Sequence, residues 1–519
     1  MSHFLEWTAR AERTRGPPSA PMCRWPEVLV LLAVGAMWSV FCGMPVSHDV
    51  VWQMWIARQM LRGAKLYRDI VEVNPPLWYW LAMPAQFWAS RLGWSANAAI
   101  VSITFVYMAV ALTLTGKLLD PMPAPRRAMV LASAFLAVAV VPLAAFEQRE
   151  HLALIGTIPY LTLVTRRADG RSTSTVLAIV VALVAAPAFA LKHYFVLVPA
   201  LLEIWLMARR RRTSTPLRPE VITLFAAATA YAVAVVLITP TFFSTIVPLL
   251  VLAYSGMKAP FSTLFGNPMI PMWLLSVVLL SWFHRKADPL PTAAGIAACA
   301  FAMSYFIQQK GWWYHSVPVS GALVFALGSL ATSSAKGRID RMRTTAAAIT
   351  MAIPLAFAVW IGPYHNANAT VVDALLSDAE PGQSVLVLTA HPSHAWPMVD
   401  ERGYIWPSRY YAFWMVDAID RQIKEKGGLS PDMKALADLI RRQTVVDLDC
   451  HPPQLILIDD FRHSLAANFD ILRFFGENAG FAAIFQHYRR LETKGDFTSY
   501  AKDPDWGPPK PSKGCRPIR

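Results

Sequence analysis

The chain has 519 residues, of which 55% are apolar and only 16% are charged, and its mean hydropathy is +0.37. A water-soluble protein of this length carries more charge, so the composition predicts a polytopic α-helical membrane protein. The formal net charge of +14 does not indicate nucleic-acid binding, because most basic residues lie in short loops between apolar segments, as expected of cytoplasmic loops.

The first 26 residues form a basic tail, with Arg10, Arg13 and Arg15 ahead of the first apolar segment. This charge places the tail in the cytoplasm. The apolar segment 28–44 lacks a small-residue cleavage site and is therefore predicted to be the first span, not a signal peptide. Asp49 follows directly, at a depth where an ionised group is costly in free energy and is usually functional.

Two short amphipathic segments are predicted in the first outer loop, residues 45–95. Residues 50–62 have apolar side chains at helical spacing, and the aromatic run 77–88 is shorter than the about 20 residues that a span needs. Both are predicted to be helices lying on the membrane surface, with Trp52 and Trp55 in the headgroup layer.

The transmembrane domain is predicted to extend over residues 27–361. Its further spans are placed at 97–118, 128–146, 152–164, 176–191, 195–208, 221–239, 269–283, 292–308, 317–330 and 345–361. Every second loop between them is basic, which assigns those loops to the cytoplasm and gives about eleven crossings. An odd number of crossings places the C-terminus outside.

Residues 362–519 are predicted to form a small α/β domain on the outer side, because the sequence there is mixed and polar. Apolar runs at 384–389 and 454–458 indicate buried strands, and helical patterns separate them. Cys450 and Cys515 both fall in this domain and are candidates for a disulfide in an oxidising compartment, although the sequence does not show their proximity.

The sequence contains no motif for a metal or a nucleotide. His391 and His394 lack partners at zinc-ligand spacing, Asp459 and Asp460 after a strand are more typical of a turn, and no Gly-rich phosphate loop occurs. We therefore expect no nucleotide donor and assign no metal ligand and no cofactor. Assistance by a divalent metal ion stays open.

The predicted topology gathers charged and aromatic residues at the outer ends of the spans. These residues are Asp49, Asp69, Glu72, Asn74, Arg149, Glu150, Lys192, His193, Lys310, Tyr314 and His315. Cations can bind a phosphate, aromatic rings an isoprenoid chain, and a carboxylate can take a proton from an acceptor. Each type also has a structural interpretation, as a helix N-cap, a loop charge, a lysine that reaches lipid headgroups or a buried histidine.

Part of this pattern resembles a known family. Asp49 after the first span, the segment from Glu72 to Leu77 with Asn-Pro-Pro-Leu, and the acidic turn from Glu147 to His151 resemble the C-type integral-membrane glycosyltransferases. Within this family, the sequence most resembles the branch that contains protein O-mannosyltransferases, lipid A aminoarabinose transferases and rhizobial lipopolysaccharide sugar transferases. Asn74 stands where members of this family often have Lys or His.

The resemblance implies an inverting enzyme that takes a sugar from a polyprenyl-phosphate donor on the outer side of a bacterial inner (plasma) membrane. Asp49 and Glu150 would be its catalytic carboxylates, with Asp49 as general base. The donor phosphate would contact Arg149, Lys192 and Lys310. The other predicted substrate-binding residues are Asp69, Glu72, Asn74, His193, Tyr314 and His315.

The expected partners are the donor, membrane lipids and a glycan, lipid or protein acceptor. One alternative is a polytopic transporter or a lipid-linked sugar flippase, which would favour charges near the bilayer midplane. A second alternative is a membrane-anchored binding protein, which would leave the segment from Glu72 to Leu77 unexplained.

Overall fold

The structure is a computed structural model that describes residues 24–210, 217–255, 257–284, 288–333, 337–366, 369–460, 469–507 and 515. Most of the predicted cytoplasmic tail, including Arg10, Arg13 and Arg15, lies outside the described residues.

Apolar helices make up most of the chain up to residue 361. In chain order the helices are α1 (Trp25–Phe41), α2 (His48–Leu61), α3 (Leu77–Leu92), α4 (Ala96–Leu118), α5 (Ala124–Phe135), α6 (Arg149–Ala168), α7 (Thr175–Ala190), α8 (Leu197–Arg210), α9 (Pro219–Ile238), α10 (Val247–Ser255), α11 (Phe261–Phe265), α12 (Ile270–Trp282), α13 (Leu290–Gln308), α14 (Val317–Ala331) and α15 (Arg338–Ile361). Within the described residues, five helices are long and apolar enough to cross a membrane, and shorter apolar helices accompany them.

The helices coincide with the predicted spans in position, and the number of crossings stays a prediction. The segment predicted at 128–146 is not one helix, because α5 ends at Phe135 and continues as the π-helical turn Leu136–Val140 and the 3-10 turn Leu143–Ala145. A second π-helical turn, Phe242–Ile246, leads into α10, where the sequence analysis placed no helix. Such turns are rare and frequently occur at functional sites.

Helices α2 and α3 occupy the first outer loop, as predicted, but the headgroup position of the two tryptophans is wrong. Trp52 and Trp55 are 1% and 4% exposed, respectively. Trp52 stacks on Trp55 at 4.5 Å and on Tyr411 at 4.8 Å, and its ring meets the edge of Trp396 at 5.1 Å. Burial of large aromatic rings is strongly favourable, so this contact joins α2 to the C-terminal domain.

The C-terminal domain contains a mixed four-stranded sheet in the order β1-β2-β4-β3. Its elements are α16 (Ala369–Leu375), β1 (Val385–Leu388), α17 (Pro392–Ala395), α18 (Met398–Glu401), α19 (Val416–Lys426), α20 (Pro431–Cys450), β2 (Leu455–Asp459), α21 (Ile471–Gly476), α22 (Ala479–Phe485), β3 (Tyr488–Lys494) and β4 (Phe497–Lys502). β1 and β2 are parallel with Val385 opposite Leu455, and both are buried, as predicted. The antiparallel hairpin β3–β4 covers the other edge of β2.

A disulfide joins Cys450 at the end of α20 to Cys515, with 5.4 Å between the two Cα atoms. Cys42 and Cys299 are free thiols, and Cys23 lies outside the described residues.

Candidate active site

Asp49 lies in the first turn of α2, at the junction of the helical bundle and the C-terminal domain. Ser47 holds the N-cap position, so Asp49 is not the cap of this helix. Asp49 Oδ2 accepts a hydrogen bond of 3.1 Å from Gln148 Nε2, and the same amide donates to Ser47 Oγ at 2.8 Å. The Asp49 side chain keeps 22% of its surface exposed. It is therefore held in place and still accessible to a substrate.

The turn before α6 brings Gln148 and its neighbours to Asp49. Glu147 adopts a positive φ of 69°, which is strained for a residue other than glycine. His151 fixes this turn, because its Nδ1 accepts a bond of 3.0 Å from the Glu147 backbone N–H and its Nε2 donates to the Val138 carbonyl at 2.7 Å. His151 is thus a structural residue. Among the residues that the structure describes, Tyr67 and Gln309 also have a positive φ, and both lie in loops beside the site, where strain commonly marks function.

Glu150 and Lys192 form a buried ion pair inside the bundle. Lys192 Nζ donates to Glu150 Oε1 at 2.5 Å, to Gln308 Oε1 at 3.0 Å and to His315 Nε2 at 3.1 Å. An ammonium group has three N–H bonds, and all three of them are used here. Lys192 therefore holds Glu150 and His315 in place, and a phosphate would reach it only by displacing one of these partners.

Arg149 faces the first outer loop without a carboxylate at ion-pair distance among the described residues. One guanidinium nitrogen donates to Asn74 Oδ1, and the group lies 4.9 Å from the Trp78 ring. Its Nε–H is buried and has no hydrogen-bond partner in the described chain. Glu150 and Asp49 act on the charge of Arg149 from a distance, and its free Nε–H can still bind an anion.

Glu72 fixes the amide that contacts Arg149. Its carboxylate accepts bonds from the Asn74 side chain at 2.8 Å, from the backbone N–H groups of Asn74 and Val73, and from Trp52 Nε1 at 2.8 Å. This buried carboxylate is satisfied by four donors, which points to a positioning role. The prediction that it binds substrate stays a prediction.

Lys310 is the second cation without a counter-charge in the described part of the chain. Its Nζ atom is buried, lies 3.6 Å from the centre of the Tyr254 ring and has no hydrogen-bond acceptor among the described residues. Burial, and then the nearby cations Arg421 and Lys258, lower the pKa of Lys310 to about 8. An ammonium placed this way favours a bound anion.

The remaining predicted residues differ in the contacts that they make. Tyr314 joins the cluster, with Lys192 Nζ 5.9 Å from its ring centre. Asp69 accepts bonds from the Lys65 backbone and from Arg68 within its own loop, and His193 is exposed with its ring against Tyr194. The structure therefore brings Asp49, Arg149, Glu150, Lys192, Asn74, Tyr314 and His315 to one end of the bundle, and the substrate-binding roles of Asp69 and His193 stay predictions.

Several contacts of the site were missed from the sequence. Tyr411 of the C-terminal domain donates to Asp49 Oδ1 at 3.4 Å, and Tyr364 hydrogen-bonds His48 at 2.8 Å. No motif in the polar C-terminal sequence distinguished these two tyrosines. Gln148 and Gln308 lie close in sequence to the predicted site residues Arg149 and Lys310. This proximity was the available sequence signal for the two glutamines. Within the described residues, no group of three His, Cys, Asp or Glu side chains is arranged to hold a metal ion.

A shallow apolar crevice lies at the 3-10 turn Trp313–Ser316. It is lined by Val141, Ala144, Met269, Trp313, Ser316, Val317, Ser320, Pro354, Phe357, Ala358 and Ile361. Trp313 and Ser316 flank Tyr314 and His315 on one 3-10 turn, so the crevice borders the polar cluster.

No family model and no curated protein matches this chain. Among solved structures, the chain is similar to ArnT from Cupriavidus metallidurans in the apo state, with a TM-score of 0.50 and 12% identity over 91% of this chain and 97% of ArnT. ArnT bound to undecaprenyl phosphate gives a TM-score of 0.49 at 12% identity over 94% and 100% of the two chains. Archaeal oligosaccharyltransferase AglB from Archaeoglobus fulgidus, in complex with an inhibitory peptide and a dolichol-phosphate, gives 0.44 at 9% identity over 93% and 75%. The chain has the fold of the C-type integral-membrane glycosyltransferases, which confirms the fold that the sequence resemblance implied.

Proposed function

We propose that this protein is an inverting glycosyltransferase that moves a sugar from a polyprenyl-phosphate donor to a glycan, lipid or protein acceptor outside the membrane. The observation that carries this proposal is an accessible carboxylate, Asp49, at the same end of the bundle as two cations without carboxylate partners in the described chain, Arg149 and Lys310. A base and unmatched positive charge are what transfer from an anionic lipid donor needs.

In the proposed reaction the acceptor oxygen attacks the anomeric carbon of the donor sugar. A new C–O bond forms, the bond from the anomeric carbon to the phosphate oxygen breaks, and the acceptor proton moves to Asp49. Gln148 orients the carboxylate through Oδ2. The lipid phosphate leaves with one more negative charge than it carried in the donor.

Arg149 and Lys310 would bind that phosphate. The Nε–H of Arg149 and the Nζ of Lys310 are buried and have no hydrogen-bond acceptor within the described chain, so an anion gains hydrogen bonds there without displacing a protein partner. Their attraction to the leaving oxygen is strengthened by burial, because the effective dielectric constant is lower than in water. Lys192 would act indirectly, by keeping Glu150 and His315 in position.

The apolar crevice beside Tyr314 and His315 supports a donor with an isoprenoid chain. Its lining contains Trp313, Met269 and Phe357, and few polar groups. A chain bound there would place its phosphate end at the polar cluster. The disulfide between Cys450 and Cys515 supports an oxidising, extracytoplasmic location for the C-terminal domain, as in a bacterial inner membrane.

Purified protein incubated with radiolabelled polyprenyl-phosphate sugars and candidate acceptors tests the proposal. We expect free lipid phosphate to be released in an acceptor-dependent way, and Asp49→Asn to lower kcat by about 10²–10⁴-fold, the usual contribution of a general base. The exposed Asp505 serves as the matched control, since Asp505→Asn removes a carboxylate of the C-terminal domain away from the site. Normal turnover of Asp49→Asn would contradict the assignment. Movement of the labelled lipid across a vesicle membrane without release of lipid phosphate would favour the flippase.

A further inference from the structure

His48 lies next to Asp49 and makes contacts that the proposed reaction does not use. Its Nε2 is 3.8 Å from Asp49 Oδ1, and its Nδ1 is 2.8 Å from the Tyr364 hydroxyl. The ring stacks against Tyr411 at 6.3 Å. The His48 side chain is 26% exposed, so it touches both the base and the solvent.

The proposed reaction leaves a proton on Asp49, and the carboxylate must lose it before the next turnover. Each oxygen of Asp49 already contacts a donor, Oδ2 the Gln148 amide and Oδ1 the Tyr411 hydroxyl. When His48 Nδ1–H donates to the Tyr364 oxygen, the lone pair of Nε2 is the one free to accept a proton. An imidazole nitrogen can take up a proton and release it again, which is the chemistry that this step needs.

We propose that His48 takes the proton from Asp49 after sugar transfer and releases it to water, with Tyr364 as the positioning residue that fixes the ring. The step rests on the proposed function of Asp49. One O–H bond of the protonated carboxyl breaks, one N–H bond forms on Nε2, and the imidazolium then loses that proton to solvent. No other reactant is needed.

The groups that face His48 are Asp49 on its own helix and Tyr364, Tyr411 and His391 from the C-terminal domain. Burial, and then the neighbouring His394, lower the pKa of His391. The lowered pKa makes His391 a weaker proton acceptor than an ordinary imidazole. Asp49 and His48 are then the neighbouring pair that exchanges the proton.

Two substitutions separate proton transfer from packing. His48→Gln keeps a side-chain amide that can hydrogen-bond Tyr364 but cannot take a proton, and His48→Ala leaves a space for added imidazole. We expect both variants to lower kcat by about 10-fold or more with the donor KM unchanged. Imidazole in the buffer should restore His48→Ala toward the wild-type kcat in proportion to the concentration of its neutral form. His487, which stacks on Trp506 in the C-terminal domain, provides the control substitution His487→Gln, whose kcat should not change with or without imidazole.

Full activity of His48→Gln would overturn the inference, since that variant retains the hydrogen bond and lacks the proton acceptor. Loss of activity in His48→Ala without rescue by imidazole would overturn it as well, because the residue would then be structural. Thermal unfolding of each variant in detergent checks that it is folded. An active Asp49→Asn would contradict the proposed function itself, and this outcome can be told apart from failure of the relay. An inactive Asp49→Asn together with a normal His48→Gln refutes only the relay.

Discussion

The two ends of the helical bundle differ in the partners of their arginines. At the end away from the site, four arginines pair with carboxylates: Arg126 with Asp288, Arg127 with Glu27 at 3.1 Å, Arg167 with Glu220 at 2.9 Å, and Arg218 with Glu203 at 2.5 Å. At the site end, Arg149 contacts an amide and a ring, and Lys310 contacts rings.

The difference distinguishes charged residues that stabilise the fold from charged residues that are available to bind a ligand. A buried cation with a carboxylate partner is satisfied, and removing either member leaves the other uncompensated. A buried cation without a partner lowers stability in the empty protein, and it is retained at sites where an anion from outside completes it. We therefore expect substitutions at the two ends to have opposite consequences for stability and activity.

The largest effect on activity at the site end after that of Asp49 is expected for Arg149. Arg149→Gln removes the guanidinium that would stabilise the leaving phosphate, and kcat/KM for the donor should fall by about 10²–10³-fold. The temperature of unfolding should change little. Arg91, an exposed arginine over the Phe87 ring, is the matched control, and Arg91→Gln should leave both quantities unchanged. A strong loss of stability in Arg149→Gln, with normal transfer per folded molecule, would place Arg149 with the structural arginines instead.

The converse result is expected at the other end for Arg218. Its guanidinium contacts Glu203 at 2.5 Å and the fully buried Glu220 at 2.7 Å. Arg218→Gln removes the cation from Glu203 and leaves the buried Glu220 with Arg167 alone, and the stability loss should be on the order of 3 kcal/mol. Thermal unfolding in detergent measures it, whereas kcat per folded molecule should remain that of the wild type. A variant of normal stability and low kcat would abolish the distinction between the two ends.

A smaller effect is expected for Lys310. Lys310→Gln keeps the size of the side chain roughly and removes the unmatched charge, so the donor KM should rise about 10-fold while the unfolding temperature stays the same or increases. The measurement is donor titration together with thermal unfolding of the same preparation. An unchanged KM would remove Lys310 from the phosphate site.

The effects of Lys310 on stability and on donor binding should both depend on pH. Its pKa is lowered from 10.5 to about 8, so the folded protein releases this proton between these two values while the unfolded chain keeps it. The contribution of Lys310 to the free energy of unfolding therefore rises with pH in that window, whereas donor binding weakens above pH 8 as the cation is lost. In Lys310→Gln, neither this gain in the free energy of unfolding nor this loss of donor binding should be seen when pH 7 and pH 9.5 are compared. Persistence of the alkaline loss of binding in that variant would assign it to another group.

The smallest effect is expected for Tyr411. Tyr411→Phe keeps the ring that stacks on Trp52 and removes a hydroxyl whose distance from Asp49 Oδ1 is 3.4 Å, which is long for an O–H···O bond. We expect kcat to fall less than about 5-fold, because such bonds contribute on the order of 1 kcal/mol. A loss of 100-fold or more would show that the C-terminal domain takes a direct part in the chemistry.

Much of the fold could be predicted from the sequence, because hydropathy alone marks the long apolar helices and the strands at 384–389 and 454–458. The clustering of Asp49 with Arg149 and Glu150 also followed, since topology places the ends of spans on one side. The break after Phe135 could not be predicted, because the apolar run continues through the π-helical turn.

The remaining features depend on contacts between distant parts of the chain. Saturation of Lys192 by Glu150, Gln308 and His315 involves residues up to 123 positions away. The contact of Tyr411 with Asp49 spans 362 positions. No local pattern encodes either contact, so a sequence shows which residues reach the site but not which of them remain available to a ligand.

The aromatic cluster of Trp52, Trp55, Trp396 and Tyr411 limits how the chain can be truncated or recombined. Half of this aromatic cluster comes from α2 and half from the C-terminal domain. A truncated chain would expose two tryptophans beside Asp49, and a chimaera with a foreign C-terminal part would need matching rings to refill the space. We therefore expect variation at one of these positions to be accompanied by variation at the others.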